Sequence, residues 1–337
     1  MNTEELERGL STLIANREPR SDHITITDLR SISGGNARSA YSFDAKWFNG
    51  KKDETRKCVL LLQLNKGQLD QELSPEFDLL DFLSKRNIPS PSSYWLDASG
   101  HYLGAPGFVM EHVSGRGELR NLLNSKYKVR NAYLAKQMAE AAARLHNVNW
   151  NTSDFKSCEI VTKENAAIKQ VSIWEDLFLI HRMEPLPILV NAFGWLKRNC
   201  PVAERIVIVH GDFRFGNILY EDDKLTSILD WEMAHLGDAC EDIAWAYRPL
   251  WSPHPQLAFS QFLKHYLKTR SVELNERTLL FYRLFSEVKH AVISLTGANT
   301  FAGGGNHNLR LADRMTWTTE CLRQFYEWLP SNNGRGL

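Results

Sequence analysis

The hydrophobic period changes once along this 337-residue chain, and that change decides what it can fold into. From Ile24 to Leu64, β-branched and aromatic runs (ITITDLRSI, AYSFDAKWF, KCVLLLQL) alternate with turn chemistry (SGGNARS, NGKKDE), the pattern of strands joined by tight connections. Asn49-Gly50 marks a hairpin turn, because glycine accepts the positive φ such a turn demands. Residues 76–86, EFDLLDFLSKR, then place Phe77, Leu80 and Leu83 at helical spacing and end before the turn-forming NIPSPSS. SSYWLD and GFVMEHV fit two further short strands, and Ser114-Gly115-Arg116-Gly117 reads as a linker. Beyond residue 118 the period becomes helical. Leu134, Met138, Ala142 and Leu145 form one stripe, and the stretches 164–181, 187–199, 256–268, 276–295 and 309–329 behave alike. One inset, ERIVIVHGDFRFGNILYEDDKLTSILDWE, alternates short β-branched runs with polar loops, as a small sheet or hairpin among helices does. The expected class is α+β: an antiparallel sheet with one helix in residues 1–112, and a larger, mostly helical part in residues 113–337.

Composition removes several alternatives. Forty basic residues balance forty acidic ones, and the split at residue 112 leaves only a small excess of acid before it and of base after it, so neither part is charged like a general nucleic-acid binder. The run Cys58–Leu62 is five apolar residues long, against the roughly 20 that a membrane-spanning helix needs. The N-terminal MNTEELERGLSTLIANR is acidic and amphipathic, unlike a secretory signal, which makes the cytoplasm the expected location. Five scattered cysteines with no C-x-x-C pair argue against a disulfide framework and against a thiolate zinc site.

The chemistry concentrates in VIVHGDFRFGNILY and the SILDWE that follows. Asp212 and Asn217 are separated by four residues, and Asp230 comes 13 residues after Asn217 behind the apolar pair Ile228-Leu229. Phosphoryl transfer needs a carboxylate to orient and deprotonate an acceptor hydroxyl, plus hard oxygen ligands for a Mg²⁺ that bridges the terminal phosphates. These three residues are the right chemical types in the right order. H-x-D-x-x-x-x-N followed by a strand-borne Asp is the layout of a kinase catalytic loop, with His210-Gly211-Asp212 where protein kinases carry His-Arg-Asp. An Asx turn at Asp212 and Asn217 and a helix N-cap at Asp230 are the ordinary structural readings, but they leave the joint occurrence of the three without a reason.

On these residues the chain resembles the aminoglycoside phosphotransferase family of small-molecule kinases, and within it the group that includes the kinase-like domain fused to some acyl-CoA dehydrogenases. ISGGNARSAYSF is similar to the family's nucleotide loop, PEFDLLDFLSKRNIPSPSSYWLD to its helix and following turn, and GFVMEHVSG to its interlobe hinge. AEAAARLHNVNW is similar to the long helix of its C-terminal lobe, HGDFRFGNILY to its catalytic loop and ILDWEMAHLGDACEDIAW to its metal-binding segment. The resemblance implies a protein-kinase-like two-lobed fold with the nucleotide in the cleft between lobes. It implies Asp212 as catalytic base, Asn217 and Asp230 as Mg²⁺ ligands, His210 as an organiser of the loop, and Asp238 and Asp242 as braces behind it. Arg214 is placed near phosphate or in solvent, and Glu232 near the acceptor.

On the nucleotide side, Ser33, Gly34, Gly35 and Asn36 form a turn whose backbone N–H groups can approach phosphate. Glu111 and Val113 belong to the hinge, whose backbone would meet the edge of an adenine or a guanine, so ATP and GTP are not separated. A kinase-like sheet also carries a strand cation paired with a helix glutamate. Glu76 fits the glutamate, but Leu61 or Gln63 occupies the place of the cation, and neither side chain can neutralise charge. Lys46 on the preceding strand, Lys57 at the strand entrance and Arg38 from the glycine loop are the cations that could point into the same cleft instead, although each taken by itself reads as a surface charge.

The leading expectation is a Mg-dependent transfer of the γ-phosphoryl group of ATP or GTP to a hydroxyl of a small-molecule acceptor, with no nucleic-acid or membrane partner. The alternative is a nucleotide-binding, pseudokinase-like regulatory module with little turnover, suggested by the uncharged Leu61 and Gln63. A metal phosphohydrolase built on His210, Asp212 and His235 is a third class. The basic excess after residue 112, and a loop in which His307, Arg310 and Arg314 meet the single acid Asp313, suit an uncharged or anionic acceptor better than a polycationic one. Most of the tryptophans from Trp174 to Trp317 are expected to fill core, and a few to line an acceptor pocket.

Overall fold

The computed structural model describes residues 2–18, 20–32, 38–63, 72–270, 274–304 and 309–330. In chain order the elements are α1 (Thr3–Arg17), β1 (Asp22–Ile32), β2 (Ser39–Phe48), β3 (Asp53–Leu62), α2 (Leu73–Ser84), β4 (Ser93–Asp97), β5 (Gly107–Glu111), α3 (Leu119–Leu122), α4 (Lys128–His146), α5 (Ala166–His181) and α6 (Pro187–Arg198). Then follow β6 (Val207–Val209), β7 (Ile218–Glu221), β8 (Lys224–Ile228), β9 (His235–Gly237), α7 (Cys240–Ala246), α8 (Phe259–Arg270), α9 (Glu276–Ala302), α10 (Leu309–Asp313) and α11 (Met315–Trp328). They gather into two compact units. The first holds the residues up to Glu118 together with Asn149–Cys158 and Gly216–Ala234, and the second holds Leu119–Val148, Glu159–Phe215 and the residues from His235 on.

The first unit is an antiparallel sheet in the order β1-β2-β3-β5-β4. Strands β2 and β3 pair without a slip from Ser39 opposite Leu62 to Phe48 opposite Asp53. Alternation along them turns Phe43, Ala45 and Trp47 of β2, and Cys58, Leu60 and Leu62 of β3, toward Leu6, Leu10, Leu13 and Ile14 of α1. That helix, which the sequence shows only as an acidic amphipathic stretch, opens with a capping box between Asn2 and Glu5. On the other face of the sheet Phe108, the neighbour of inward-facing Val109, meets Phe77 of α2 edge-on at 5.9 Å between centroids. Helix α2 begins at Leu73, three residues before the stretch its hydrophobic spacing marks, and buries Leu79, Leu80, Phe82 and Leu83.

The four residues 114–117, expected to be a linker, instead extend the ordered backbone of this unit. The Arg116 N–H donates to the Tyr220 carbonyl at 2.8 Å and the Arg116 carbonyl accepts the Tyr220 N–H at 3.0 Å, while the Thr226 hydroxyl donates to the Ser114 carbonyl at 3.1 Å. Gly115, at φ +144°, permits this approach, since a Cβ there would lie 2.9 Å from the Thr226 hydroxyl. The strand-like inset is likewise two small sheets. Strand β7 pairs with β8 through a tight turn at Asp222 and Asp223 in the first unit, whereas β6 pairs with the distant β9 in the second.

Helix α9 is the axis of the second unit. Its residues Leu279, Phe281, Tyr282, Leu284, Phe285, Val288, Ala291, Val292 and Leu295 are buried on every side, which is what a central helix requires. Helices α5, α6, α7, α10 and α11 pack on it, and the stripe Leu134, Met138, Ala142 and Leu145 of α4 is buried as its spacing predicts. The stretch 309–329 breaks at Arg314 into α10 and α11. Among the described residues all five cysteines are free, and no helix is long and apolar enough to cross a membrane.

If α1 is part of the sheet's core, Leu10→Ala should destabilise the protein by about 2–5 kcal/mol in urea unfolding, because Leu10 is wholly buried. A loss below about 1 kcal/mol, the size of an exposed change, would detach α1 from that core.

Candidate active site

The loop carrying Asp212 leaves β6 at Val209 and turns at Gly211, whose φ of +82° a side chain would oppose. A buried carboxylate fixes the turn. Asp242 of α7 accepts the His210 N–H at 2.8 Å on one oxygen and the Gly211 N–H at 3.0 Å on the other. His146 of α4 lies 3.1 Å from the Asp242 oxygen that takes the His210 amide, and its other ring nitrogen lies 2.9 Å from the Tyr266 hydroxyl. Burial opposes ionisation of Asp242, but the hydrogen bonds it makes with His146 and with the His210 amide hold the carboxyl below its usual range. His146, itself buried, is pushed toward the neutral form by loss of solvent despite its carboxylate neighbour.

A second contact grips the same turn. The Lys289 ammonium of α9 donates to the Gly211 carbonyl at 2.6 Å and to Glu241 at 2.9 Å, and Glu241 also lies 3.1 Å from the His235 ring. His210 is wholly buried, and its Nδ1 accepts the Asp212 N–H at 3.1 Å, so it shapes the loop from within. Asp238, just before α7, accepts the Cys240 N–H at 2.8 Å. With its backbone held this way, Asp212 receives the Trp245 indole N–H at 2.6 Å and the Arg214 Nε–H at 2.9 and 3.1 Å on its two oxygens. Arg214 thus pairs with the expected base. Its guanidinium carbon also lies 5.8 Å from the centre of the Trp251 ring.

In the first unit Asn217 stands just before β7 and Asp230 just after β8. The Leu229 N–H donates to the Asn217 carbonyl at 2.8 Å, and Ile218 pairs with Ile228, so the ladder places Asp230 beside Asn217. Asp230 adopts φ +71°, in the left-handed region that aspartate tolerates better than most side chains. Glu76 of α2 is buried and ion-paired with Arg38, whose other terminal nitrogen lies 3.5 Å from Glu232. Arg38 is therefore not a surface charge: its side chain is 12 % exposed, whereas Lys46 and Lys57 are both exposed. Burial disfavours the Arg38 cation, but Glu76, Glu232 and Asp230 outweigh it and hold the guanidinium protonated. Leu61 pairs with Ala40 and Phe108 and carries no charge to this cluster.

Glu111 ends β5, where its carboxylate accepts the Ser92 N–H and hydroxyl at 3.2 and 3.0 Å, and Val113 follows in the connecting segment. Ser33, Gly34, Gly35 and Asn36 lie outside the described residues, as do Gly305 and His307 of the later glycine-rich loop.

Comparison with known proteins decides the family. The sequence profile of the phosphotransferase enzyme family matches residues 35–278. The chain belongs to that family. Acyl-CoA dehydrogenase family member 10 of Mus musculus is 26% identical over 174 residues, which are 51% of this chain and 16% of that protein, so the chain spans a small part of this relative's length. Among solved structures, a presumed aminoglycoside phosphotransferase from Ralstonia eutropha matches with a TM-score of 0.73 at 18% identity, over 97% of this chain and 98% of that one. A thermostable mutant of aminoglycoside phosphotransferase APH(4)-Ia, in ternary complex with AMP-PNP and hygromycin B, matches with a TM-score of 0.64 at 15% identity, over 96% and 99%. At such identities the likeness is one of fold: the chain's antiparallel sheet and helical part form the α+β, kinase-like architecture of these proteins.

Sequence reasoning missed the contacts of four residues at this candidate site: His146, Glu241 and Lys289, which hold the loop, and Trp245, which holds the Asp212 carboxylate. Each is remote in sequence from its partner, and no local spacing announces it. Among the described residues no group of three or more His, Cys, Asp or Glu side chains is placed to hold a metal. The oxygen pair of Asn217 and Asp230 nonetheless suits Mg²⁺, a hard cation that takes one or two protein ligands and completes its shell with phosphates and water.

Glu241 supplies a pH test. Its burial favours the neutral acid, yet Lys289 and His235 bring the folded carboxyl to about 2, from an unperturbed 4.5. The folded value is the lower one, so the pair's stabilisation is complete above the unfolded pKa and disappears as pH falls through the folded one. Urea unfolding between about pH 5 and 2.5 should lose stability on the order of 3 kcal/mol through this group, and Lys289→Met should show a shallower dependence. An unchanged slope in the variant would mean that Lys289 does not control the Glu241 charge.

Proposed function

We propose that the chain is a small-molecule kinase that moves the γ-phosphoryl group of ATP or GTP to a hydroxyl of its acceptor, with Asp212 as base. The reading is supported chiefly by the Asp212 carboxylate, oriented by Trp245 and Arg214 on a loop pinned from behind by Asp242 and Lys289. In this reading the acceptor oxygen attacks the γ-phosphorus and its proton passes to an Asp212 oxygen. The new P–O bond forms as the bond from the γ-phosphorus to the β,γ-bridging oxygen breaks, and the nucleoside diphosphate leaves. Asn217 and Asp230 would hold Mg²⁺, which when bound supplies positive charge to the terminal phosphates. Residues 1–112 serve the nucleotide, with Ser33, Gly34, Gly35 and Asn36 at the phosphates and the backbone of Glu111 and Val113 at the base, and residues 113–337 serve the acceptor. A fold relative that carries AMP-PNP and hygromycin B lends support to a nucleotide donor and a small-molecule acceptor.

The regulatory, pseudokinase-like reading keeps one observation in its favour, the uncharged Leu61 at the usual place of the strand cation. The phosphohydrolase reading loses ground, since His235 is engaged by Glu241 and His210 is buried within its own loop.

Incubation with Mg-ATP or Mg-GTP and a panel of alcohols, amino alcohols, sugars and hydroxy acids should give acceptor-dependent release of the diphosphate. Asp212→Ala should lower that release by about 10²- to 10⁴-fold, the usual contribution of a general base. Nucleotide-dependent thermal stabilisation without turnover on any acceptor would favour the regulatory module. Release that needs no acceptor would favour hydrolysis.

A further inference from the structure

The ion pair at Glu76 carries the kinase reading one step further and rests on it. Strands β2 and β3 are in register from Ser39 opposite Leu62, and one more step along the ladder sets Arg38 opposite Gln63. Ala40 pairs with Leu61 and Leu61 with Phe108, whose ring meets α2, so this row of residues faces the helix that carries Glu76. On that face β3 offers a leucine, and the residue that leads into β2 offers the guanidinium that meets Glu76. Both side chains are nearly buried, at 12 % and 7 % exposure, and Arg38 also approaches Glu232, two residues beyond Asp230.

We propose that Arg38 is the phosphate-contacting cation of this protein, displaced from β3 to the residue just before β2, and that its edge toward Glu232 is the one that takes the nucleotide phosphates. A guanidinium suits the task because its rigid fork serves two anions at once. One terminal nitrogen stays on Glu76, while the other and Nε present parallel N–H groups to phosphate oxygens. The separation of 3.5 Å from Glu232 marks the weaker of the two contacts, the one that a phosphate displaces.

The test measures affinity, independently of turnover. Titration calorimetry compares Mg-ATP and Mg-GTP with adenosine and guanosine on the wild type, on Arg38→Met and on Arg38→Met combined with Leu61→Lys, each checked for cooperative unfolding. Loss of a charge-assisted contact should weaken binding of the preferred triphosphate by about ten- to a hundredfold in Arg38→Met, while its nucleoside binds as in the wild type. Return of a cation to β3 in the double variant should restore a large part of the triphosphate affinity. Equal triphosphate affinity in folded Arg38→Met, or an equal loss for nucleoside and triphosphate, would overturn the proposal while leaving the kinase reading standing. Failure of the wild type to bind either triphosphate would remove both. Should Arg38→Met not fold, Arg38→Lys takes its place, with the same selective loss expected at smaller size and the same two outcomes against it.

Discussion

Asp242 is buried completely, and its charge is compensated by two backbone amides and an imidazole, all three of which belong to or border the loop of Asp212. A buried carboxylate is tolerated only when such partners are in place, and the same partners are backbone groups that would otherwise be left without a hydrogen bond. The two needs satisfy each other. The loop is therefore held in one geometry, with the positive φ of Gly211 and the Lys289 contact to its carbonyl fixing the remaining freedom. Asp212 inherits its position from this arrangement, and the roles assigned to it depend on its backbone being immobile.

Two buried ion pairs carry comparable weight. Lys289 with Glu241 lies behind the loop, and Arg248 with Glu287 joins the segment that follows α7 to α9 through a bidentate contact next to His290. Removal of one partner from such a pair strands a charge in a medium that cannot solvate it, at a cost of about 3–5 kcal/mol. His290 shows the same electrostatic setting from the opposite side. Burial first, then Arg248, Arg314 and Arg214, push its ring down to about 2, so it stands as a neutral imidazole among cations close to Trp245 and Trp251.

Much of this was legible in the sequence, for physical reasons. Period-two alternation in KCVLLLQL and AYSFDAKWF reflects one buried sheet face, and Cys58, Leu60 and Leu62 lie on it. The H-x-D-x-x-x-x-N spacing is local, so its backbone course follows from short-range chemistry. What escaped is non-local. Nothing near Lys289 marks it as the partner of a carbonyl 78 residues away, and Trp245 reads as core filling until its N–H is seen on Asp212. The sequence leaves Arg38 as one of three cations that could replace the strand charge, because the choice depends on Glu76, 38 residues further along, and on the strand register that brings the two together. The linker reading of residues 114–117 failed for a related reason, since composition signals flexibility while Tyr220 and Thr226 supply the hydrogen bonds that remove it.

The central claim is that a positioned carboxylate at Asp212 serves transfer of a phosphoryl group to a small molecule. Its most direct test is the fate of the label when the protein is incubated with Mg²⁺, γ-labelled nucleotide and a protein-free metabolite extract, followed by separation of the products. The account predicts that label appears on one or a few small organic molecules with the wild type and on none with Asp212→Asn. Label found only in inorganic phosphate, or transferred equally well by the variant, would contradict it.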